Sequence, residues 1–407
     1  MSTLRLFEGF GIEIEYMIVR RDTLDVAPLM DALMKSVAGS YVSDYEAGAI
    51  AWSNELVNHV IEFKTNGPAK SLTGLAELFQ RQVGDVNERF AAMNARLMPG
   101  AMHPWMDPFK ETKLWEHDSN EVYDAFNRIF NCRGHGWSNL QSMHINLPFG
   151  DDKEFGKLHA AIRLVLPILP ALAASSPVMD GKVTGTLDNR LEVYRTNSAR
   201  IPSITADVVP EPVFTQKEYE HKILERIYND LKPYDPEGVL RYEFSNARGA
   251  IARFDRNAIE IRVLDVQESP LADLATASLV IGAVRALVEE RTASTTVQQA
   301  WQTAALKDIF LECVKMGDKA TINNPSYLKV WGVEAPAMEA GELWRHLSKY
   351  AEPAGDAVRK AAELKLEHGT LASRIIRALG GAPNKSRLRE VYGALSDCLN
   401  NGSLFGL

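Results

Sequence analysis

The chain has 407 residues, 46% hydrophobic and 24% charged, with a formal net charge of −8. That is the balance of a globular protein able to bury one elaborate core or two. No run of five or more basic residues occurs, which argues against nucleic acid as a partner, because phosphate contacts need clustered Lys and Arg. Cys132, Cys313 and Cys398 are isolated and odd in number, the pattern of reduced, packed thiols rather than of a disulfide framework or a zinc site.

Met1-Ser-Thr-Leu-Arg-Leu-Phe-Glu-Gly lacks the apolar segment of a signal peptide, so a cytoplasmic protein is expected. Leu6 to Val19 is rich in β-formers, with Ile12, Ile14 and Tyr16 alternating with Glu13, Glu15 and Met17. Val57 to Thr65 predicts a second strand. Ser71 then caps a predicted helix whose stripe runs Leu75, Leu78, Phe79, Val83, Val86, Phe90, Met93 and Leu97, with Pro99-Gly100 as its stop. Asn139 to Leu147 predicts a strand, and Glu154 to Ser175 an apolar helix bent at Pro167 and Pro170.

Ser176 to Pro212 shows no periodicity, a length that often belongs to an active site. Tyr219 to Leu231 predicts a helix. In Ala258 to Asp265, Ile259, Ile261 and Val263 alternate with Glu260, Arg262 and Leu264. Ala272 to Val288 is the longest apolar stretch, but Asp273, Thr276, Ser278 and Arg285 interrupt it, so it reads as a buried helix rather than a membrane span. The rest is helical, broken at Asn323-Asn-Pro, Glu352-Pro and Gly380-Gly-Ala-Pro. Strands separated by helices without regular β–α–β alternation predict an α+β fold on an antiparallel sheet, followed by a helical C-terminal region.

Chemistry-bearing residues recur on the polar faces of these strands. Glu13 and Glu15, two apart, point the same way; alone, a solvated strand edge accounts for them. Glu55 and Glu62 are seven apart and cannot share a face of one regular strand, so Glu55 must precede the strand or a bulge must intervene. His144 sits among apolar neighbours, where a lone His is more often a hydrogen-bonded core residue than a ligand. Glu260 and Arg262 share a face, as a structural ion pair also would. Together these are five carboxylates, one imidazole and one guanidinium, a set suited to Mg²⁺ or Mn²⁺ rather than zinc. Neither a P-loop nor a GxGxxG fingerprint is present.

Gly11-Ile-Glu-Ile-Glu-Tyr, Glu55 with Glu62-Phe-Lys-Thr, Ser142-Met-His-Ile-Asn and Ile259-Glu-Ile-Arg-Val-Leu-Asp occur in that order. So do His103-Pro-Trp and Leu172-Ala-Ala-Ser-Ser-Pro, with Arg190 beyond. This series resembles the glutamate–cysteine ligase family, in particular its bacterial carboxylate–amine ligase branch, over about residues 6 to 285. The resemblance implies a glutamine-synthetase-like fold, an antiparallel sheet curled into a funnel and flanked by helices, with ATP and metals inside. The expected organisation is a catalytic domain resembling that family over 1–290 and, read from the sequence only as helical, a C-terminal region over 291–407 packed on the catalytic core.

By motif, Glu13, Glu55 and Glu62 would ligate one metal set, and Glu15, His144 and Glu260 a second. Arg262 would face the γ-phosphate, while Arg190 and Arg248 would hold a substrate carboxylate or an acyl phosphate. The implied activity is ATP-dependent amide formation between glutamate or a similar amino acid and an amine, through an acyl phosphate, releasing ADP and phosphate. Two alternatives use the same residues: a metal-dependent hydrolase, and a non-catalytic binder that keeps the fold. Arg262 beside a ligand position speaks against the first, and retention of all six predicted ligands against the second. The amine is left open by the sequence, as is the oligomeric state, a homo-oligomer included.

Overall fold

Alternating segments that bury one face and keep polar groups on the other need a partner layer, and here they find each other. The computed structural model describes residues 3–118 and 120–406. The strands are β1 (Gly11–Arg20), β2 (Asp44–Ala47), β3 (Ile50–Asn54), β4 (Val60–Thr65), β5 (Ala95–Met98) and β6 (Ser142–Pro148). A small hairpin follows, β7 (Val178–Met179) with β8 (Lys182–Val183), then β9 (Ala250–Arg253) and β10 (Ala258–Asp265). The large sheet has the order β2-β3-β4-β1-β6-β10-β9, with antiparallel pairing between neighbours; β5 pairs with Met17–Arg20, beyond the stretch of β1 taken by β6. The fold is α+β, as expected.

Register decides which side chains share a face. Glu13 lies opposite Lys64 on one side and His144 on the other, Glu15 opposite Glu62, Ser53 opposite Glu62, and Glu260 opposite Asn146. The other face carries Ile12, Ile14, Tyr16, Ile61, Phe63, Met143, Ile145, Leu147, Ile259 and Ile261, each 0% exposed. Burying these side chains, worth roughly 1.5–3 kcal/mol each against water, fixes the register, since a slip of one residue would exchange the two faces.

The apolar face is covered by helices. Pro270–Val288 runs through the centre, against Leu75–Ala91, Asp152–Val165 and Asp356–His368. It is long and apolar enough to cross a membrane, with mean hydropathy 1.7, yet 89% of it is buried inside the protein. That agrees with its reading as a core helix.

Beyond it the chain is mainly helical to Lys385–Asn401, with one short antiparallel pair, Thr321–Ile322 with Met338–Glu339, that the expected all-helical region did not include. Each expected break coincides with an interruption: Asn324 caps Pro325–Val330, Glu352-Pro lies between helical turns, and Gly380 ends Leu371–Leu379 at φ 69°. Core residues from both sides of position 290, among them Phe63 and Leu279 before it and Phe310, Tyr327 and Trp344 after it, belong to one hydrophobic cluster. A second cluster packs Leu371, Ile375, Leu388, Val391 and Leu395 on Met17, Val19 and Met98.

Some boundaries differ from expectation. The helix after Ser71 starts at Leu75, with Gly74 at its N-terminus in the left-handed region, while Ser71 instead caps the turn before it by accepting from the Thr73 amide (3.1 Å). It ends at Ala91, and Asn94, also left-handed at φ 51°, reverses the chain so that Leu97 enters β5. Leu97 still packs in the same core, which is why its helical spacing misleads. The apolar run after Asp152 breaks into Asp152–Val165, Leu166–Ile168 and Pro170–Ala173, at the two expected prolines.

Candidate active site

The polar face of the sheet forms the floor of a cavity of about 1140 Å³. β1 supplies Glu13 and Glu15, β4 Glu62 and Lys64, β6 Ser142, His144 and Asn146, and β10 Glu260 and Arg262. Glu55 follows the end of β3, in the turn that returns to β4, and so reaches the same cavity. The odd spacing from Glu62 is thereby accounted for: Glu55 precedes the strand that carries Glu62, one of the two expected arrangements. The sequence missed β3 because all five of its residues are buried and no alternation marks it.

His144 is the centre of the cluster. Its Nδ1 lies 2.8 Å from Glu13 Oε2 and 3.8 Å from Glu260 Oε1, and its Nε2 lies 2.9 Å from Ser142 Oγ and 3.7 Å from Glu15 Oε1. Glu15 Oε2 accepts from the Ser142 amide (2.7 Å), and Glu13 Oε1 from Asn146 Nδ2 (3.0 Å). Asn146 lies so close over Gly11 that a Cβ there would come within 2.8 Å of its own Cβ. The glycine that opens the Gly11-Ile-Glu motif is therefore required by the close approach of Asn146, the residue whose amide orients Glu13. Arg262 Nε sits 3.2 Å from Glu260 Oε1, and Arg253 Nη1 3.5 Å from Glu260 Oε2.

Two sets of ligand atoms lie within 4.8 Å of one another: Glu13, His144 and Glu260, and Glu15, Glu62 and His144. These sets cut across the division expected from the motifs, because register, not order in the sequence, decides proximity. Carboxylate oxygens dominate both, with one shared imidazole, a donor chemistry that fits a hard divalent cation.

The electrostatics fit as well. Burial, with Glu15 and Glu62, pushes the Glu55 carboxyl well above the usual range. Burial, with Glu13, pushes Glu62 up to about 7 despite Lys64 and Ser53. Burial would raise Glu13 too, but the hydrogen bond and charge of His144 hold it at about 2. His144 itself is driven down by burial, yet the surrounding carboxylates, Glu13 first, carry it to about 9. Crowded carboxylates of this kind are a place for positive charge.

Arg190 lines the cavity at 2% exposure, held through Nε by Asp265 Oδ1 at 2.5 Å, while its Nη2 has no hydrogen-bond partner. Asp265 is fixed in turn by the Ser175 amide (2.8 Å) and Ser176 Oγ (2.9 Å), which explains the two serines of Ala-Ser-Ser-Pro. Alternation did not reveal Asp265. It reaches the polar face because β10 bulges: Ile261 pairs with Ile145 but Leu264 with Met143, so Arg262 and Val263 together face the single residue His144. Leu264 is accordingly placed opposite Met143 and not beside Arg262, contrary to the simple alternation.

Arg248 stands apart. It is 0% exposed, does not line the cavity, and is engaged by Glu211 through Nε and Nη2 (2.6 Å each), by the Ser203 carbonyl (3.0 Å) and by Asn246 Oδ1 (3.0 Å). His103 likewise lies away from the cavity. Lys64, Ser142, Asn146 and Arg253 are site residues that the sequence did not single out. The first three share strand parity with Glu62 or His144, and that was the available signal.

Comparison with known proteins follows the same direction. The family model of glutamate–cysteine ligase family 2 matches residues 9–394. An uncharacterized protein of Archaeoglobus fulgidus is 31% identical over 398 residues, 97% of this chain and 99% of that one. A Ruegeria pomeroyi protein provisionally named glutamate–cysteine ligase 2 is 29% identical over 45% of this chain and 44% of its own length. Among solved structures, the Francisella tularensis glutamate–cysteine ligase in complex with AMP superposes with a TM-score of 0.60 at 14% identity, covering 98% of this chain and 90% of that one. That likeness is one of fold. The family match runs through every strand of the large sheet and across position 290, and the chain belongs to glutamate–cysteine ligase family 2.

Proposed function

We propose that the chain is an ATP-dependent carboxylate–amine ligase acting on glutamate or a similar amino acid, with Mg²⁺ or Mn²⁺ as cofactor. The observation that supports this most is the convergence of Glu13, Glu15, Glu55, Glu62, Glu260, His144 and Arg262 on the floor of one large cavity, in a member of a ligase family. At about 1140 Å³ the cavity exceeds the roughly 300–1,000 Å³ of a typical single-ligand pocket, so it has room for a nucleotide and amino-acid substrates together. The name of the Francisella neighbour records AMP as its ligand, which is in keeping with a nucleotide here.

Amide formation from a free carboxylate is uphill in water, so the carboxylate must first be activated. In the proposed reaction a carboxylate oxygen attacks the γ-phosphorus of ATP and ADP leaves. The amine nitrogen then attacks the acyl carbon, the C–O bond to phosphate breaks with its electron pair, and the nitrogen gives up its extra proton. Divalent cations held by the carboxylates and His144 would supply charge neutralisation on the phosphate oxygens. Arg262, planar and always charged, offers a fork to the transferring phosphoryl group. The buried, half-satisfied Arg190 meets a substrate carboxylate.

The test is ADP release by the purified chain with ATP, Mg²⁺ and glutamate, with the amine varied. ADP and phosphate are expected only when both an acid and an amine are supplied. AMP and pyrophosphate as products would sink the acyl-phosphate route.

A further inference from the structure

The carboxylate cluster divides the cavity into two ends of different chemistry. Strand directions set the division. Toward Gly11, Thr65 and Ala258 the lining is polar, with Lys64, Asn66, Arg253, Arg256 and Asn257, and with Asp255 lying 3.3 Å from Arg253 and 3.7 Å from Arg256 so that the cations are in excess by two. Toward Glu55, Ser142 and Arg262 it is apolar: Val122, Phe126, Trp137, Leu140 and Tyr194, all half-buried, line the wall.

The polar tips of the large rings on this wall are already used. Trp137 Nε1 donates to the Asn197 carbonyl (3.0 Å), and the Tyr194 hydroxyl donates to the Ala247 carbonyl (2.9 Å). What remains for a ligand is ring surface. Phe126 packs on Trp137 with centroids 5.4 Å apart, and Phe130 stacks on Trp137 from 5.2 Å, so the indole is held in one orientation. At the same end the buried Arg190 keeps one Nη2 without a partner, a cationic donor in want of an acceptor oxygen.

An unpaired guanidinium nitrogen beside a rigid aromatic wall is the complement of an amino acid with a carboxylate and a bulky apolar side chain. We propose that the amine substrate is an α-amino acid with a large aliphatic or aromatic side chain, its carboxylate on Arg190 and its side chain on the Phe126–Trp137 wall. This rests on the ligase reading above, and it names the acceptor which that reading leaves open. The nucleotide then takes the cationic end, where Lys64, Arg253 and Arg256 suit phosphates. A small acceptor such as glycine or alanine would leave the wall wet and gain nothing from it. A side chain larger by several methylenes gains about tenfold or more in specificity from such a surface.

The experiment measures ADP release by the full chain with ATP and Mg²⁺, with glutamate or aspartate as acid and glycine, alanine, cysteine, leucine, phenylalanine or ammonium as amine. Leucine or phenylalanine should exceed alanine in kcat/KM by about tenfold or more. In Trp137→Ala that ratio should collapse toward one, and in Phe126→Leu, which keeps an apolar filling and so guards against misfolding, it should fall part-way. A wild-type profile that is flat, or highest for glycine, cysteine or ammonium, overturns the proposal and leaves the ligase reading standing. A rise in KM for ATP in Trp137→Ala with the amine preference intact also overturns it, by assigning the wall to the nucleobase. No ADP release with any amine overturns the ligase reading itself, and the acceptor proposal with it.

Discussion

Glu13 and His144 are register partners across β1 and β6, and their side chains meet at 2.8 Å between Oε2 and Nδ1. Because His144 belongs to both candidate cation groups, it joins them where Glu13 and Glu62 each serve one. Removing His144 should therefore disturb both. We expect His144→Asn to weaken Mn²⁺ binding by at least about 10–100-fold, the scale for losing only an outer-shell partner of a metal ligand. Glu13→Gln should affect one class of bound ion and spare the other. Titration of Mn²⁺ by electron paramagnetic resonance reads this directly, and full-strength Mn²⁺ binding in His144→Asn would contradict the assignment.

Arg262 separates chemistry from stability. Its Nε lies 3.2 Å from Glu260, so Arg262→Lys keeps a charge but loses the planar fork. Turnover should fall by at least about tenfold while KM for ATP changes less, because a contact made mainly in the transition state lowers kcat. A lowered melting temperature with normal turnover would show a structural ion pair instead.

Arg248 should behave in the opposite way. Its guanidinium is buried and fully engaged by Glu211, Ser203 and Asn246. Breaking a fully buried pair costs about 3–5 kcal/mol, and since the Glu211 side chain is 32% exposed a smaller loss, about 2–3 kcal/mol, is expected. Arg248→Gln should thus unfold at lower denaturant with KM for every substrate within about twofold of wild type. A selective rise in one KM would return Arg248 to the binding site.

His103 makes the stability of the fold depend on pH. Its Nε2 lies 2.8 Å from the Leu24 carbonyl, to which it donates, while Nδ1 accepts from the Trp105 amide (3.3 Å). Both contacts suit a neutral ring. Burial lowers this residue from 6.5 to about 4. The unfolded chain then binds the extra proton first, so stability falls as pH drops from about 6.5 toward 4. At about 1.36 kcal/mol per pH unit, His103 alone accounts for up to roughly 3 kcal/mol of that loss. Chemical denaturation of wild type and His103→Gln at pH 7 and pH 4.5 checks this. The variant should lose less between the two, and equal losses would mean that His103 does not titrate in that window.

Alternation made the site legible where strands had one polar and one apolar face. β1, β4, β6 and β10 were read from Ile12, Ile14 and Tyr16, from Val57–Thr65, from the Ser142 motif and from Ile259 and Ile261. Among the strands that were missed, β3 is buried on both faces, and β2, β5 and β9 are only four residues each, too short to establish a period. Proximity across the sheet was not legible either, because it depends on register. That is why Glu13 is found beside His144 and Glu260 as well as near Glu62, whose carboxyl it helps to push up. Arg248 was misleading for a different reason. A buried arginine looks alike in sequence whether its partner is a substrate or, as here, Glu211.

The bulge in β10 has a bearing on how this strand can vary. Glu260 and Asp265 are five residues apart, an odd interval that a regular strand would send to opposite faces, yet both serve the polar side. One extra residue between Ile261 and Leu264 therefore keeps two halves of the strand in phase with different neighbours: Glu260 with Arg262 and His144, Asp265 with Arg190 and the serines before Pro177. Side chains here can be exchanged one at a time, but the residue count cannot be altered. Deleting Val263 alone would rotate Asp265 into the hydrocarbon layer and leave the Nε of Arg190 without its partner, although every other side chain of the site had been left in place.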